Sequence, residues 1–420
     1  MENLIISGGI ALDGKTGLQG SKNSSLPILA ACAAVNGISV IHNCPRITDV
    51  DIAVGILERL GCKVRREGGT VTVDSSGLDC CAIPEELMSE MRSSIIFLGA
   101  LLARAGKGIA TLPGGCEIGL RPIDMHIAAF RSMGVAINES GGSMECTAPD
   151  GIRPARITLP FPSVGATENI MLASLAAKGE TVITNAAREP EIKDLADFLN
   201  ECGASVTGAG QSVIRINGGR HLTGAEHRVI PDRIVASTYM ACAAVTGGRV
   251  AVTGAEREHL APVIPVFEDC GCNIEFNADE MCVTAPKRAR RIKYLRTMPY
   301  PGFPTDSQAL VTAVAATARG TSVISERVFE NRFRHVPELI KMGADIRVED
   351  NCVAVVEGVP ALHGAKVTAS DLRGGSALIA AALGARGESV IDGVRHVLRG
   401  CEDICGNLSR LGAHIKVINI

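Results

Sequence analysis

Charged and polar side chains stand where apolar, alanine-rich stretches begin: Lys22 and Asn23 in GSKNSSLP, Arg92 in MRSS, Ser163 and Gly165 in PSVGATEN, Asp232 and Arg233 in PDRIVAS, Asp306 in FPTDSQAL, and Asp371 and Arg373 in DLRGGSAL. Read as helices, these stretches each start with four backbone N–H groups that lack an intrahelical acceptor and with about half a positive charge, which draws anions. Lysine or arginine at such a start opposes the dipole at a cost of about 0.3–1 kcal/mol. Their recurrence therefore points to a ligand with several negative charges. Ser163, Asp306 and Asp371, taken singly, read as ordinary helix caps. A second chemical candidate lies in LPGGCEIGLRPIDMHI, residues 112–127, where glycines and a proline frame Cys116. A thiol gains thiolate character below its usual pKa of about 8.5 when it is exposed beside a cation, and Arg121 follows closely. His126, by itself, reads as a satisfied surface or core histidine.

The elements that must position these residues recur. A helix-like run ends in a glycine and turns into a strand at LGCKV (Gly61), MGVAI (Gly134), CGASV (Gly203), CGCNI (Gly271), MGADI (Gly343) and LGAHI (Gly412), about 70 residues apart. A second series keeps step: an apolar helix reaches a glycine and then a β-branched strand at Gly37, Gly108, Gly179, Gly248, Gly320 and Gly387. The first helix of each unit, as in SLPILAACAAVNG, is apolar nearly all round and so buried on every side. The second, as in IKDLADFLNECG, carries charges on one face and meets water there. GADIRVEDNCVAVVEG alternates and bends at Glu349, Asp350 and Asn351, which predicts a hairpin. Each unit is thus strand, buried helix, strand, amphipathic helix, strand, strand. Such a unit cannot bury its faces alone, and the chain exceeds what one core serves. An α/β fold of two domains follows, three units each, meeting near residues 220–230.

The chain is 46% hydrophobic with no tryptophan, so Ala, Val, Ile and Leu fill its core. A formal net charge of −3 argues against general nucleic-acid binding. No segment approaches the ~18–20 uninterrupted apolar residues of a membrane span, and no basic and apolar export signal opens the chain. No membrane association and a cytoplasmic location are expected. Many of the fifteen cysteines occupy apolar helix positions (Cys32, Cys202, Cys242), where a free thiol is a small hydrophobe. Cys270, Cys272, Cys401 and Cys405 lack zinc-site spacing, so no metal and no cofactor are expected.

The strings GSKNSSLPIL, PGGCEIGLRPIDMH, PSVGATENIM, NAAREPEI, IPDRI, PYPGFPTDSQ, FENRFRHVPEL and DLRGGSAL, spread from end to end, together resemble the UDP-N-acetylglucosamine 1-carboxyvinyltransferases of the enolpyruvyl transferase family. The resemblance implies a two-domain inside-out α/β barrel of six βαβαββ units with buried parallel helices. Residues 1–21 would join 230–420 in one domain, with 22–229 forming the other, and the active site would lie in the cleft between them. It further implies transfer of the enolpyruvyl group of phosphoenolpyruvate to the 3′-hydroxyl of UDP-N-acetylglucosamine, with release of phosphate, at the entry to peptidoglycan synthesis. By similarity Cys116 protonates C3 and is the target of fosfomycin-type epoxides, and Asp306 accepts the hydroxyl proton. Lys22, Arg121 and Arg399 would grip phosphoenolpyruvate, with Asn23 on the tetrahedral intermediate and Arg92 on the substrates. Arg332 and Arg373 would complete the anion cage. The nucleotide would lie along Arg121, Pro122, Ile123, Asp124 and Met125 and along Phe161, Pro162, Ser163 and Val164, close to Gly165, with Asp306 and Val328 on the sugar.

Two stretches depart from the family pattern. HVLRGCE has Leu398 where an acid is usual and Cys401 where tyrosine is, and Phe161 stands where some members have lysine. Leu398 and Cys401 keep open a non-catalytic nucleotide-sugar-binding relative, and a shared architecture keeps open a transferase resembling 5-enolpyruvylshikimate-3-phosphate synthase, which lacks the PGGC loop.

Overall fold

Residues 2–111 and 123–419 are described by a computed structural model. They form two compact units, one of residues 2–19 and 231–419, the other of residues 20–111 and 123–230. Helices Lys22–Ala34, Phe97–Ala105 and Val164–Ser174 pack against one another inside the second. Arg233–Thr246, Gln308–Ala315 and Leu372–Gly384 do so inside the first. Nearly every residue of these helices is buried, as an alanine-rich surface without a polar face requires. Each unit carries three small sheets, whose inward residues close the core around its helix trio. In the strand Thr70–Asp74, for instance, Val71 and Val73 are fully buried while their neighbours are not.

Strand exchange ties the repeats to the chain crossings. Asp13–Gly17, first strand of the first repeat, runs parallel to Arg249–Thr253 with Asp13 opposite Arg249. Glu226–Arg228, first strand of the fourth repeat, instead joins Ile38–His42 with Glu226 opposite Val40. Each unit thus borrows a strand that lies just before a crossing, at Gln19–Gly20 and at Ile230–Pro231.

The glycine series has one physical cause. Gly61, Gly134, Gly203, Gly271, Gly343 and Gly412 have φ of 97°, 83°, 98°, 96°, 91° and 88°. Each donates its N–H three residues back, and the next residue donates five back, as in Gly61 to Glu58 and Cys62 to Leu57. That pair of bonds is the Schellman motif, which needs a left-handed residue and so favours glycine. Substituting Gly412→Ala, where an added Cβ would meet nothing nearer than 3.7 Å, should cost about 1–2 kcal/mol from backbone strain alone. Gly61→Ala should cost more in urea denaturation, because its Cβ would sit 2.6 Å from the Gly77 carbonyl oxygen. The second series is less uniform. Gly37, Gly179, Gly320 and Gly387 are left-handed, but Gly106 and Gly247 take over that role from Gly108 and Gly248. Gly248 is required for close approach instead, its Cβ position lying 2.3 Å from the Leu12 carbonyl oxygen. The hairpin at 349–351 forms, with Asp350 and Asn351 both at positive φ.

Just before the second crossing, buried His227 is clamped by Asp194 at 3.1 Å and Glu201 at 2.7 Å. Burial disfavours its charge, but the two carboxylates outweigh burial and raise its pKa. Its stabilising contribution is therefore full below the unfolded value near 6.5 and fades as pH rises through the folded one. Urea midpoints should fall between pH 6 and pH 9 by more in the native chain than in His227→Gln. Equal slopes would remove His227 from that role.

The described cysteines are free, and burial raises the Cys202 and Cys242 thiols to about 12. Among the described residues no helix is long and apolar enough to cross a membrane.

Candidate active site

In the unit of residues 231–419, Asp306 sits in the turn Thr305–Ser307 that leads into the buried helix Gln308–Ala315. It is no helix cap. Its Oδ1 accepts from Arg373 Nε at 2.8 Å and from Arg332 Nη2 at 3.1 Å. The Arg332 side chain is only 3% exposed, whereas that of Asp306 keeps 28%. Burial opposes the Asp306 charge, yet Arg373 and Arg332, with help from Arg233, hold its carboxyl far below the usual carboxylate range. Arg332 also donates to the Thr305 carbonyl, at 3.3 Å from both Nε and Nη2. Asp371 and Asp232 do cap helices: Asp371 Oδ1 accepts from Arg373 and Gly374 N–H, and Asp232 Oδ1 from Ile234 and Val235 N–H.

A buried carboxylate that sequence reasoning missed organises this corner. Glu326 Oε1 accepts from Thr297 Oγ1 at 2.8 Å, Val328 N at 2.7 Å and Phe329 N at 3.1 Å. Its Oε2 accepts from Thr305 Oγ1 at 2.9 Å. One side chain thus sets the backbone of Val328 and the residue before Asp306. Arg399 follows the short helix Arg395–Leu398 and is half-buried.

In the unit of residues 20–111 and 123–230, Ser21 caps the helix that Lys22 begins, its Oγ accepting from Ser24 N–H. Lys22 Nζ lies 2.5 Å from Asp49 Oδ2, on the first turn of helix Thr48–Arg59, and Asn23 is half-buried beside it in sequence. Arg92 opens the turn Arg92–Ile96 that runs into helix Phe97–Ala105. Ser163 caps helix Val164–Ser174, accepting from Ala166 N–H at 3.3 Å. Its own N–H donates to the carbonyl of Phe161, whose side chain is exposed. Ile123 precedes helix Asp124–Ser132, and a groove of about 270 Å³ runs between that helix and Arg156–Pro160, with Asp124 and Met125 among its walls. Helix starts with an ammonium and a guanidinium suit anion binding in this unit, as the two arginines on Asp306 do in the other. Cys116, Arg121 and Pro122 lie outside the described residues.

A profile of the EPSP synthase (3-phosphoshikimate 1-carboxyvinyltransferase) family matches residues 6–408. The chain belongs to the enolpyruvyl transferase family. This transferase is 49% identical over 410 residues to UDP-N-acetylglucosamine 1-carboxyvinyltransferase 2 of Caldanaerobacter subterraneus subsp. tengcongensis, covering 98% of each chain. It is 47% identical over 420 residues to UDP-N-acetylglucosamine 1-carboxyvinyltransferase 1 of Symbiobacterium thermophilum, covering 99% of this chain and 95% of the relative. Among solved structures, the enolpyruvyl transferase NikO from Streptomyces tendae superposes with a TM-score of 0.88 at 26% identity, over 100% of this chain and 99% of that one. EPSP synthase from Acinetobacter baumannii, at 21% identity, shares the fold with a TM-score of 0.77 over the whole of both chains. The two-domain α/β architecture of six repeats read from the glycine series is the architecture of this family.

Within the transferase, the departures around Arg399 are apolar fill: Leu398 packs against the core and Cys401 lies in it. Glu326 carried no legible signal, because its partners stand up to 29 residues away in sequence.

Proposed function

We propose that this transferase moves the enolpyruvyl group of phosphoenolpyruvate to the 3′-hydroxyl of UDP-N-acetylglucosamine and releases phosphate, the first committed step of peptidoglycan synthesis. The observation that carries the reading is Asp306 with Arg332 and Arg373 on one carboxylate oxygen. The relatives that share about half of this sequence are named for that activity.

In this reading the sugar oxygen bonds to C2 of phosphoenolpyruvate as its proton passes to Asp306 and the Cys116 thiol protonates C3. The tetrahedral adduct then loses a C3 proton, the C2–O bond to phosphate breaks with its electron pair, and the enol ether remains. A carboxylate bound by two arginines is a weak base. The phosphate and carboxylate of phosphoenolpyruvate compete for those guanidiniums, and Asp306 gains basicity as they let go. Lys22, Arg121 and Arg399 hold the same anions, Asn23 and Arg92 the intermediate and substrates, and Val328 the sugar. Ile123 to Met125 with Phe161 to Gly165 take the nucleotide, its base in the groove beside Asp124.

The family match also fits transfer to shikimate 3-phosphate. Phosphate release distinguishes the two. Release from phosphoenolpyruvate with UDP-N-acetylglucosamine alone supports the proposal, whereas release only with shikimate 3-phosphate selects the other acceptor. Tight nucleotide-sugar binding without any release leaves a non-catalytic relative.

A further inference from the structure

The turn that carries Arg399 is held from the other end of the chain. Gln19 follows the strand Asp13–Gly17, and its backbone carbonyl accepts from the Asp232 N–H at 3.0 Å. Its side-chain amide reaches past that pairing to residues 400–402. Nε2 donates to the Gly400 carbonyl at 2.9 Å, and Oε1 accepts from the Glu402 N–H at 2.8 Å. A carbonyl only accepts and an N–H only donates, so the two backbone partners fix which way the amide faces. The two bonds span 381 and 383 residues of sequence.

On the other side of Arg399, the Val397 carbonyl accepts from the N–H groups of Gly400 and Cys401, each at 3.0 Å. Gly400 has no room for a side chain, because a Cβ there would lie 2.6 Å from Leu372 Cδ2. The turn thus packs onto the first residue of helix Leu372–Gly384, whose second residue, Arg373, donates to Asp306. Leu398, which stands where the family has an acid, offers no hydrogen-bonding group, and Cys401, which stands where it has tyrosine, lies in the core. The amide of Gln19 therefore reaches, on either side of Cys401, the stretch in which this chain departs from the family pattern.

We infer that Gln19 is a positioning residue for Arg399, clamping residues 400–402 so that the guanidinium meets phosphoenolpyruvate in a chain that lacks the family's acid at 398. This deepens the proposed function and rests on the role given there to Arg399. Gln19 acts through backbone, not through a substrate contact of its own. Two bonds from one planar amide set both the distance and the twist of the peptide units that follow Arg399. A guanidinium fork is sensitive to such aim, because its paired donors must meet an anion together. A binding group displaced by about 1 Å costs about 100-fold in rate, even when the change that moves it lies away from the chemistry.

Steady-state kinetics with phosphoenolpyruvate and UDP-N-acetylglucosamine, and calorimetric titration with UDP, test this in the native chain, Gln19→Leu and Gln19→Glu. Leucine removes both bonds. Glutamate keeps the size and the acceptor for the Glu402 N–H, but sets a second oxygen against the Gly400 carbonyl. In both variants kcat/KM for phosphoenolpyruvate should fall about 10- to 100-fold, mainly through KM, while UDP affinity stays within about twofold of native. Combined with Arg399→Lys, whose ammonium has no fork to aim, Gln19→Leu should lower kcat/KM by less than about threefold more. A role in packing alone would spare the isosteric glutamate. A near-native KM for phosphoenolpyruvate in Gln19→Leu, a near-native Gln19→Glu, a matching loss of UDP affinity, or an equal effect of Gln19→Leu with Arg399 and with Arg399→Lys would each overturn the inference. Absence of turnover in the native chain would instead strike the proposed function.

Discussion

Replacing Asp306 with asparagine is expected to lower kcat with UDP-N-acetylglucosamine and phosphoenolpyruvate by about 10²- to 10⁴-fold, the range for a lost general base. Asparagine keeps the shape and one acceptor oxygen, and since both guanidiniums donate to a single oxygen, both bonds can persist. It cannot take the hydroxyl proton. Affinity for the nucleotide sugar should change far less than turnover, because the proposed nucleotide residues belong to other elements. The free protein holds Asp306 far below the usual carboxylate range. Its protonation therefore adds no acid limb to kcat/KM where ordinary carboxylates titrate, and any such limb should persist in Asp306→Asn. A kcat within threefold of the native value in Asp306→Asn would remove it as the base.

Glu326→Ala should be the most damaging change away from the reacting groups. It strands two hydroxyls and two backbone N–H groups that now share one buried carboxylate. A buried donor left without its acceptor costs about 1–3 kcal/mol, and several are stranded together, so the urea midpoint should drop sharply. Glu326→Gln separates charge from geometry. Its oxygen can keep the three donors on Oε1, and its amide can donate to the Thr305 hydroxyl, which turns to accept. Glutamine should therefore retain most of the stability and turnover within a few-fold. A neutral Glu326→Ala, or a Glu326→Gln as damaged as alanine, would contradict the positioning role.

The glycine series was readable because a left-handed helix end tolerates few residues, and six identical ends leave six identical marks in sequence. The buried helices were readable because alanine-rich apolar faces cannot meet water. Charged and polar residues at their starts suggested anion binding, and three of them, Asp232, Asp371 and Ser163, proved to be caps. What periodicity could not convey is which side chains meet. Asp306 and Arg373 are 67 residues apart and join only through packing of neighbouring repeats. His126 read alone as a satisfied histidine, and half of it is satisfied, by Asn169 43 residues away.

Enolpyruvyl transfer by addition and elimination is tested most directly by running the reaction in D₂O with UDP-N-acetylglucosamine and phosphoenolpyruvate and weighing the nucleotide sugar afterwards. The account predicts a product heavier by one enolpyruvyl group, with deuterium in its methylene, because C3 gains a solvent-exchanged proton and then loses one. Nucleotide sugar recovered at its original mass, or an enolpyruvyl product free of deuterium, would contradict it.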